Sequence, residues 1–188
     1  MTNWGAHHLD IARWIVNEDA PIAVSGAGGR YALTDGGETP DTQQVTYQFK
    51  KSIVTWTSSE IGEGDPLTLN IYGTKGMMSL TRGGFKIKPE TETKPGTREK
   101  QNLMDAMDVK GADLNGPHVR NFLDCVKNRA KPTADVEEGH RTAVMCHLGN
   151  ISTRLGRTLR WDALREQVAQ DAEANQWLMR PYRGPWSL

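Results

Sequence analysis

Three polar side chains near the start of the chain could take part in chemistry. They are Asn3, His7 and Asp10, and they fall within the first turn of a predicted helix and its lead-in. His7 and Asp10 would share one helix face, and Asn3 stands where a helix would be capped. Histidine and carboxylate groups commonly transfer protons. The alternative is that Asn3 is only a cap and that Asp10 only satisfies a partly buried His7.

An apolar stripe on the same stretch would hold this helix in place. Ile11, Trp14 and Ile15 recur at helical spacing, so we expect them to pack inward. The helix would then be fixed by one face and would present His7 and Asp10 at its first turn.

The composition argues against several classes of function. The chain has 188 residues, which suggests a single domain, and its 23 basic and 23 acidic residues balance. That balance gives no electrostatic support for a nucleic-acid or anionic-membrane partner. No apolar run approaches a membrane span, and nothing after Met1 resembles a signal peptide.

The two cysteines do not suggest a disulfide framework. Cys125 and Cys146 lie in separate helical patterns, so we expect a reduced, cytoplasmic protein. Cys146 is followed by His147, but one cysteine and one histidine do not make a set of four zinc ligands. We therefore predict no metal site.

The first half of the chain after this helix is dominated by strand patterns. Residues with strand-forming or alternating side chains are joined by short turns, which favours antiparallel pairing. The predicted strands are 22–31, 41–49, 52–59, 67–72, 77–80 and 85–88. Residues 91–111 are rich in Lys, Glu, Thr and Gly, and we expect a solvated connection there.

The last third of the chain is helical in pattern. An amphipathic helix begins near Pro117 and ends near Asn128. Asp135 and Glu138 have the spacing of a capping box, and the helix that they open stops at Gly156. We predict one α+β domain over residues 1–188, with an open, largely antiparallel or mixed sheet of about six strands and helices covering one face.

A run of glycines invites comparison with a dinucleotide-binding fingerprint. Gly26 and Gly28 fit the start of Gly-x-Gly-x-x-Gly, but the third glycine position is Tyr31. A turn follows instead of a helix. We therefore expect no phosphate-binding loop in this stretch.

The stretch from Asn3 to Asp10 resembles the signature of the Gfo/Idh/MocA family of nicotinamide-dependent sugar oxidoreductases. That signature, Asp-x-Gly-x-His-x-x-Asp, places its residues on Asn3, Gly5, His7 and Asp10. Other segments look like parts of the same family's second domain, in the same order. They are 38–42, 72–76, 120–126, the pair Gly139-His140, and 182–186.

The resemblance implies roles for the three polar residues. In the family, the histidine and the first aspartate line the substrate pocket and take part in proton transfer from a sugar hydroxyl. These roles would fall on His7 and Asn3, and Asp10 would help to hold the sugar. Because an amide cannot accept a proton at neutral pH, Asn3 changes one member of this relay.

The family's first domain binds a dinucleotide through Gly-x-Gly-x-x-Gly and carries a Glu-Lys-Pro motif with a catalytic lysine. The sequence contains neither motif. The resemblance thus implies only the C-terminal, substrate-binding and oligomerising domain. No cofactor site is expected in this chain, although the parent family uses NAD or NADP.

Two hypotheses of function remain open. The chain is a sugar-binding or oligomerisation module, inactive by itself. Alternatively, it is half of an NAD(P)-dependent sugar or cyclitol dehydrogenase whose dinucleotide-binding domain lies upstream or on another chain. In either case we expect a homo-oligomer through the open sheet face. Val45, Tyr47 and Phe49 on one side, with Ile53 and Trp56 nearby, would supply apolar area for packing against the helices and against a partner.

Overall fold

The computed structural model describes residues 1–62 and 68–186. The helices are α1 (Trp4–Val16), α2 (Asn115–Asn128), α3 (Val136–Leu155) and α4 (Ala172–Gln176). The strands are β1 (Ala23–Gly29), β2 (Thr42–Gln48), β3 (Ile53–Ser59), β4 (Leu69–Gly73), β5 (Gly76–Thr81), β6 (Gly84–Pro89), β7 (Thr91–Thr93), β8 (Lys100–Asn102), β9 (Met107–Lys110), β10 (Leu159–Asp162) and β11 (Gln167–Val168).

The chain divides into two compact units. The first unit is Met1–Gly64 with Ala134–Leu188, and the second unit is Asp65–Thr133. The single domain over residues 1–188 stays a prediction.

All strand pairings in the described part of the chain are antiparallel. The first unit contains a five-stranded sheet in the order β11-β10-β1-β2-β3. The second unit contains the four-stranded sheet β4-β5-β6-β9 and the two-stranded sheet β7-β8. The predicted α+β class with open antiparallel pairing is confirmed, but the strands form three sheets rather than one sheet of about six.

Residues 91–111 are not the unstructured connection that we expected from their composition. They contain β7, β8 and β9, which pair through backbone hydrogen bonds. Polar side chains on paired strands also contact one another. For example, Lys86 Nζ on β6 and Asp108 Oδ2 on β9 form an ion pair at 3.0 Å. The strand predicted to start at Leu67 begins at Leu69, and Leu67 itself lies outside the described residues.

Helix α1 packs through a different face from the predicted one. Ile11, Trp14 and Ile15 are 39%, 49% and 38% exposed, so the expectation that they pack inward is wrong. The buried face consists of Gly5, Leu9, Ala12 and Arg13. Gly5 faces Met1 and Trp56: a Cβ at this position would lie 3.0 Å from Met1 Sδ and 3.5 Å from the Trp56 ring.

The two longest predicted features of the last third are confirmed. Helix α3 begins after Asp135, whose side chain accepts a hydrogen bond from the Glu137 amide at 2.9 Å, and it ends at Gly156 in a left-handed conformation. Helix α2 ends at Asn128, as the amphipathic pattern indicated.

The glycine run forms strand β1 between β10 and β2. Its Gly26 lies directly under α3. A Cβ at this position would lie against Thr153 Oγ1 and 3.0 Å from the Gly149 carbonyl oxygen. The absent side chain therefore lets α3 lie close to the sheet, which explains this glycine through packing.

The apolar side chains of β2 all point toward the helices. Val45 and Tyr47 are fully buried, while Gln44 and Gln48 on the opposite face are exposed. The Tyr47 hydroxyl donates to the Met145 carbonyl oxygen of α3 at 3.0 Å. Val45, Tyr47 and Phe49 share one side of the strand, as predicted, and Trp56 is buried with them. Of the apolar set expected to supply both packing surfaces, Ile53 alone lies on the outward face, so that expectation is wrong.

Candidate functional site

Helices α1 and α3 run antiparallel and are joined by two polar contacts. Thr142 Oγ1 donates to Asp10 Oδ1 at 2.8 Å. One turn further along α1, Arg13 forms an ion pair with Glu138. The later residue of α1 contacts the earlier residue of α3, so the two helices run in opposite directions.

Arg13 is buried beneath this pairing, with only 5% of its side chain exposed. Burial lowers the pKa of its guanidinium, and the nearby Asp10 carboxylate partly opposes that effect. Its Nε finds no hydrogen-bond partner among the described residues. The ion pair with Glu138 therefore compensates a costly buried charge and fixes the register of α1 against α3.

A cleft of about 660 Å³ lies along this helix pair, within the first unit. Residues at a spacing of four line its α1 side, and residues from 134 to 147 line the other side. The α1 side is Thr2, Ala6, Asp10 and Trp14, and the other side is Ala134, Asp135, Val136, Glu138, Gly139, His140, Thr142, Ala143, Cys146 and His147. The cleft thus has an apolar floor with a small number of polar groups, as ligand sites do.

Of the three predicted site residues, only Asp10 lines this cleft. Asn3 is exposed at the N-cap position of α1, but its side chain makes no capping hydrogen bond. His7 is exposed, and its ring lies 5.9 Å from the Trp4 ring. The structure therefore places Asp10 at the cleft and Asn3 and His7 on the adjoining surface of the helix start. The pairing of His7 with Asp10 is replaced by the bond from Thr142 to Asp10.

Sequence reasoning did not assign a role to His140, which lines the cleft. Its Nε2 lies 2.5 Å from Glu166 Oε1. Glu166 adopts a φ of 50°, a left-handed conformation that is uncommon for a residue with a side chain. His147, seven residues along α3, also lines the cleft. This spacing of seven, which puts both rings on one helix face, is the signal that could have identified them.

In the part of the chain that the structure describes, no three or more His, Cys, Asp or Glu side chains are grouped so that they could hold a metal ion. No helix in residues 1–62 and 68–186 is long and apolar enough to cross a membrane.

Two protein-family models match the sequence. The GFO/IDH/MocA C-terminal domain model matches residues 1–79, and the model for the oxidoreductase family, C-terminal alpha/beta domain, matches residues 100–188. The chain belongs to the Gfo/Idh/MocA family of oxidoreductases. It corresponds to the C-terminal domain of that family, as the motifs from Asn3 onward predicted.

Solved structures of oxidoreductases share this Gfo/Idh/MocA domain fold. The UDP-N-acetylglucosamine 3-dehydrogenase GnnA from Acidithiobacillus ferrooxidans is 16% identical with a TM-score of 0.63, over 80% of this chain and 47% of that chain. The aldose-aldose oxidoreductase from Caulobacter crescentus, complexed with glycerol, is 16% identical with a TM-score of 0.62, over 83% and 45%. The WlbA dehydrogenase from Bordetella pertussis, in complex with NADH and UDP-GlcNAcA, is 16% identical with a TM-score of 0.58, over 85% and 44%.

The chain spans about half the length of the solved structures that it matches. A search of curated proteins by sequence found no match. At these identities the similarity shows the fold of the Gfo/Idh/MocA domain, and the activity of this chain has to be argued from its own residues.

Proposed function

We propose that this chain is a cytoplasmic sugar- or polyol-binding module of the Gfo/Idh/MocA type, inactive as an oxidoreductase by itself. The observation that carries the proposal is the cleft along α1 and α3, with the Asp10 carboxylate in its wall. A volume of about 660 Å³ suits a monosaccharide or disaccharide. The family to which the chain belongs supplies the class of ligand.

Asp10 is suited to hold a sugar hydroxyl because its position is fixed. Thr142 Oγ1 donates to Oδ1 at 2.8 Å, which leaves the other carboxylate oxygen to accept from a ligand. Trp14 is half exposed at the same cleft and offers an aromatic surface to the C–H face of a sugar ring. A carboxylate beside an aromatic surface gives both a directional and an apolar contact.

His7 and Asn3 extend the proposed site onto the surface next to the cleft. They stand at the family's proton-transfer positions, at the start of the helix that carries Asp10. In the proposal, His7 passes a proton only when a dinucleotide-binding domain is present. Asn3 can orient a hydroxyl but cannot accept its proton.

Titration calorimetry with glucose and myo-inositol tests the binding proposal. We expect binding of either ligand to weaken by about tenfold or more in Asp10→Ala, because a charge-assisted hydrogen bond is lost. Glu60→Ala, which removes an exposed carboxylate that does not line the cleft, serves as the matched control. Equal affinities of the two variants would contradict the assignment of the cleft.

We propose further that the module associates with itself through the outward face of the five-stranded sheet. Strands β1, β2 and β3 contain no Asp, Glu, Lys or Arg, although 24% of the whole chain is charged. Depletion of charge is the compositional mark of an interface core. The outward side chains include the polar Ser25, Gln44, Thr46 and Thr55 and the apolar Ile53, which is 69% exposed.

The alternative is that the chain is the sugar-binding half of an NAD(P)-dependent sugar or cyclitol dehydrogenase. The observation in its favour is that the matched oxidoreductases are about twice as long as the matched region, and one of them holds NADH. Sequencing the gene upstream of Met1 separates the two hypotheses. An open frame that encodes Gly-x-Gly-x-x-Gly and Glu-Lys-Pro would favour the enzyme, and a stop codon with a promoter would favour the module.

A further inference from the structure

The imidazole of His140 is held in place by a residue from another element. His140 belongs to α3 and lines the α1–α3 cleft, and its Nε2 lies 2.5 Å from Glu166 Oε1. An ionised carboxylate can only accept a hydrogen bond, so the ring donates its Nε2 proton to Glu166. In the neutral ring this leaves Nδ1 as an acceptor, and among the residues that the structure describes none bonds to this nitrogen. The cleft lining therefore has an acceptor whose tautomer is fixed by a second residue.

The position of Glu166 is set by the turn between the paired strands β10 and β11. Residues 163–166 form this turn, and the Asp162 carboxylate accepts from two of its amides at 3.1 and 3.2 Å. Glu166 ends the turn with a φ of 50°, a conformation that favours glycine because glycine has no Cβ. The turn itself gives no reason for a glutamate here. The bond to His140 gives this carboxylate a role.

A second imidazole in the cleft lining has no such support. His147 lines the cleft seven residues further along α3, and in residues 1–62 and 68–186 no hydrogen bond holds its ring. A neutral imidazole without a partner can present either nitrogen as its acceptor. The contact with Glu166 therefore distinguishes His140 as the ring whose acceptor is fixed in advance.

The α1 side of the cleft carries another fixed acceptor. Asp10 Oδ1 accepts from Thr142 Oγ1 at 2.8 Å, which leaves Oδ2 for a ligand. A ligand that satisfies both Asp10 and His140 needs at least two hydroxyl donors. Such a site rejects an analogue that lacks one of these hydroxyls, because a polar group of the protein is then left unpaired.

We infer that His140 determines specificity in the cleft: its Nδ1 accepts a hydrogen bond from one hydroxyl of the sugar, and Glu166 is the positioning residue that fixes the ring. This inference rests on the proposed sugar-binding function and adds the residue that selects one hydroxyl. It involves no proton transfer, so it applies with or without a dinucleotide-binding domain.

Titration calorimetry with glucose and the set of its monodeoxy analogues, each lacking one hydroxyl, tests this assignment. We expect His140→Ala to weaken glucose binding by about threefold to tenfold, because one hydrogen bond is lost. One analogue should bind the wild type and His140→Ala with equal affinity, since it lacks the hydroxyl that His140 binds. Alanine is a good helix former, so α3 should persist in this variant.

His118→Ala is the matched control for this substitution. His118 is an exposed histidine of α2 and does not line the cleft. Its removal should leave the affinity for glucose and for every analogue unchanged.

Glu166→Gly tests the positioning role separately from the stability of the fold. Glycine adopts a φ of 50° without strain, and an exposed side-chain pair contributes little to stability, so the melting temperature should not fall. Glucose binding should nevertheless weaken by about threefold, because the ring is no longer fixed before the ligand arrives. Glu166→Gln keeps an oxygen that accepts from Nε2 and should restore most of the affinity. Gln170→Gly is the matched control, since Gln170 is exposed, has a φ of 56° and does not line the cleft.

The outcomes distinguish this inference from the proposed function. If glucose binds His140→Ala as tightly as the wild type, the role of His140 is wrong and the sugar-binding function stands. A loss of the same size for glucose and for every analogue would show that His140 selects no hydroxyl. Full affinity in Glu166→Gly would remove the positioning role. If neither glucose nor any analogue binds, both proposals fail together.

Discussion

At the scale of single residues, Asp41 is a polar anchor of the first unit. Its side chain is fully buried and accepts hydrogen bonds from three consecutive backbone amides, those of Tyr31, Ala32 and Leu33, at 2.9 to 3.1 Å. These bonds lower the pKa of Asp41 to about 2, the Leu33 amide being the largest cause. The carboxylate therefore fixes the loop that follows β1.

The pH dependence of stability follows from this lowered pKa. Asp41 releases its proton more readily in the folded protein than in the unfolded chain, where the pKa is near 3.8. Its stabilising contribution is complete above that value and is lost as the pH falls from about 4 toward 2. We expect Asp41→Asn to lower the free energy of unfolding at pH 7, and the deficit to shrink as the pH falls below 4.

Urea unfolding of the wild type and Asp41→Asn at pH 7, 5, 4 and 3 measures this deficit. Asp35→Asn is a useful comparison, because the Asp35 carboxylate is exposed and bonds only locally, to the Gly37 amide and to Arg30. A deficit of equal size at pH 7 and pH 3 would show that Asp41 acts through shape rather than charge.

At the scale of elements, α3 is the helix that links the cleft to the sheet. Its two glycines occupy contrasting environments. At Gly149 a Cβ would lie 2.6 Å from the Tyr47 hydroxyl and 2.9 Å from Met1 Cε, whereas at Gly139 nothing lies within 4 Å. The same substitution in one helix should therefore have opposite effects.

We expect Gly149→Ala to destabilise the protein by about 1–3 kcal/mol, since the added methyl group overpacks the contact between α3 and β2. Gly139→Ala should stabilise it by about 0.5–1 kcal/mol, because alanine is the better helix former. Thermal and urea unfolding of both variants provide the measurement. Destabilisation of similar size in both would show that the close packing of α3 on the sheet is not the cause.

Much of the element pattern was predictable from local sequence. Asp135 and Gly156 marked the ends of α3 because caps depend on neighbouring residues. The buried face of α1 was not predictable, because the apolar stripe of Ile11, Trp14 and Ile15 fits a helix whichever side packs. The periodicity predicted the helix, whereas its orientation depends on contacts with α3, such as the ion pair between Arg13 and Glu138.

The candidate site was predictable only in part. Asp10 was found because its spacing and the family motif coincide. The contact between His140 and Glu166 was missed because the two residues are 26 positions apart and only the fold brings them together. Asn3 and His7 do lie at the start of α1. Sequence spacing could not show that Ala6 and Asp10 line the cleft while Asn3 and His7 do not.

At the scale of the whole molecule, the proposal of self-association concerns the outward face of β1, β2 and β3, three strands without a charged residue. We expect a homodimer at tens of micromolar, and we expect Thr55→Glu to shift it toward the monomer, because burying an unpaired charge in an interface is costly. Thr55 is exposed on β3 opposite Thr46. Light scattering on a size-exclusion column measures the mass of both forms.

Thr93→Glu is the matched control for this prediction. Thr93 is an exposed threonine on β7, a strand of a different sheet, so the same charge should leave the mass unchanged. A wild-type chain that runs as a monomer at tens of micromolar would contradict the proposal.

The sequence contains no Gly-x-Gly-x-x-Gly motif, and this leads to a separate prediction about nucleotide binding. The candidate glycines of 26–29 lie in the antiparallel strand β1 and not in a turn that opens a helix. We expect no micromolar binding of NAD(H) or NADP(H), because the pyrophosphate requires backbone amides at such a turn. Calorimetry with each nucleotide is the check, and a dissociation constant in the low micromolar range would refute it.

The central claim is that a sugar occupies the cleft between α1 and α3. Its most direct measurement is a map of amide chemical-shift changes in the labelled chain as glucose or myo-inositol is added. The account predicts saturable shifts concentrated around Asp10, Trp14 and Thr142, which disappear in Asp10→Ala. Saturable shifts confined to other parts of the chain, or none at millimolar ligand, would contradict it.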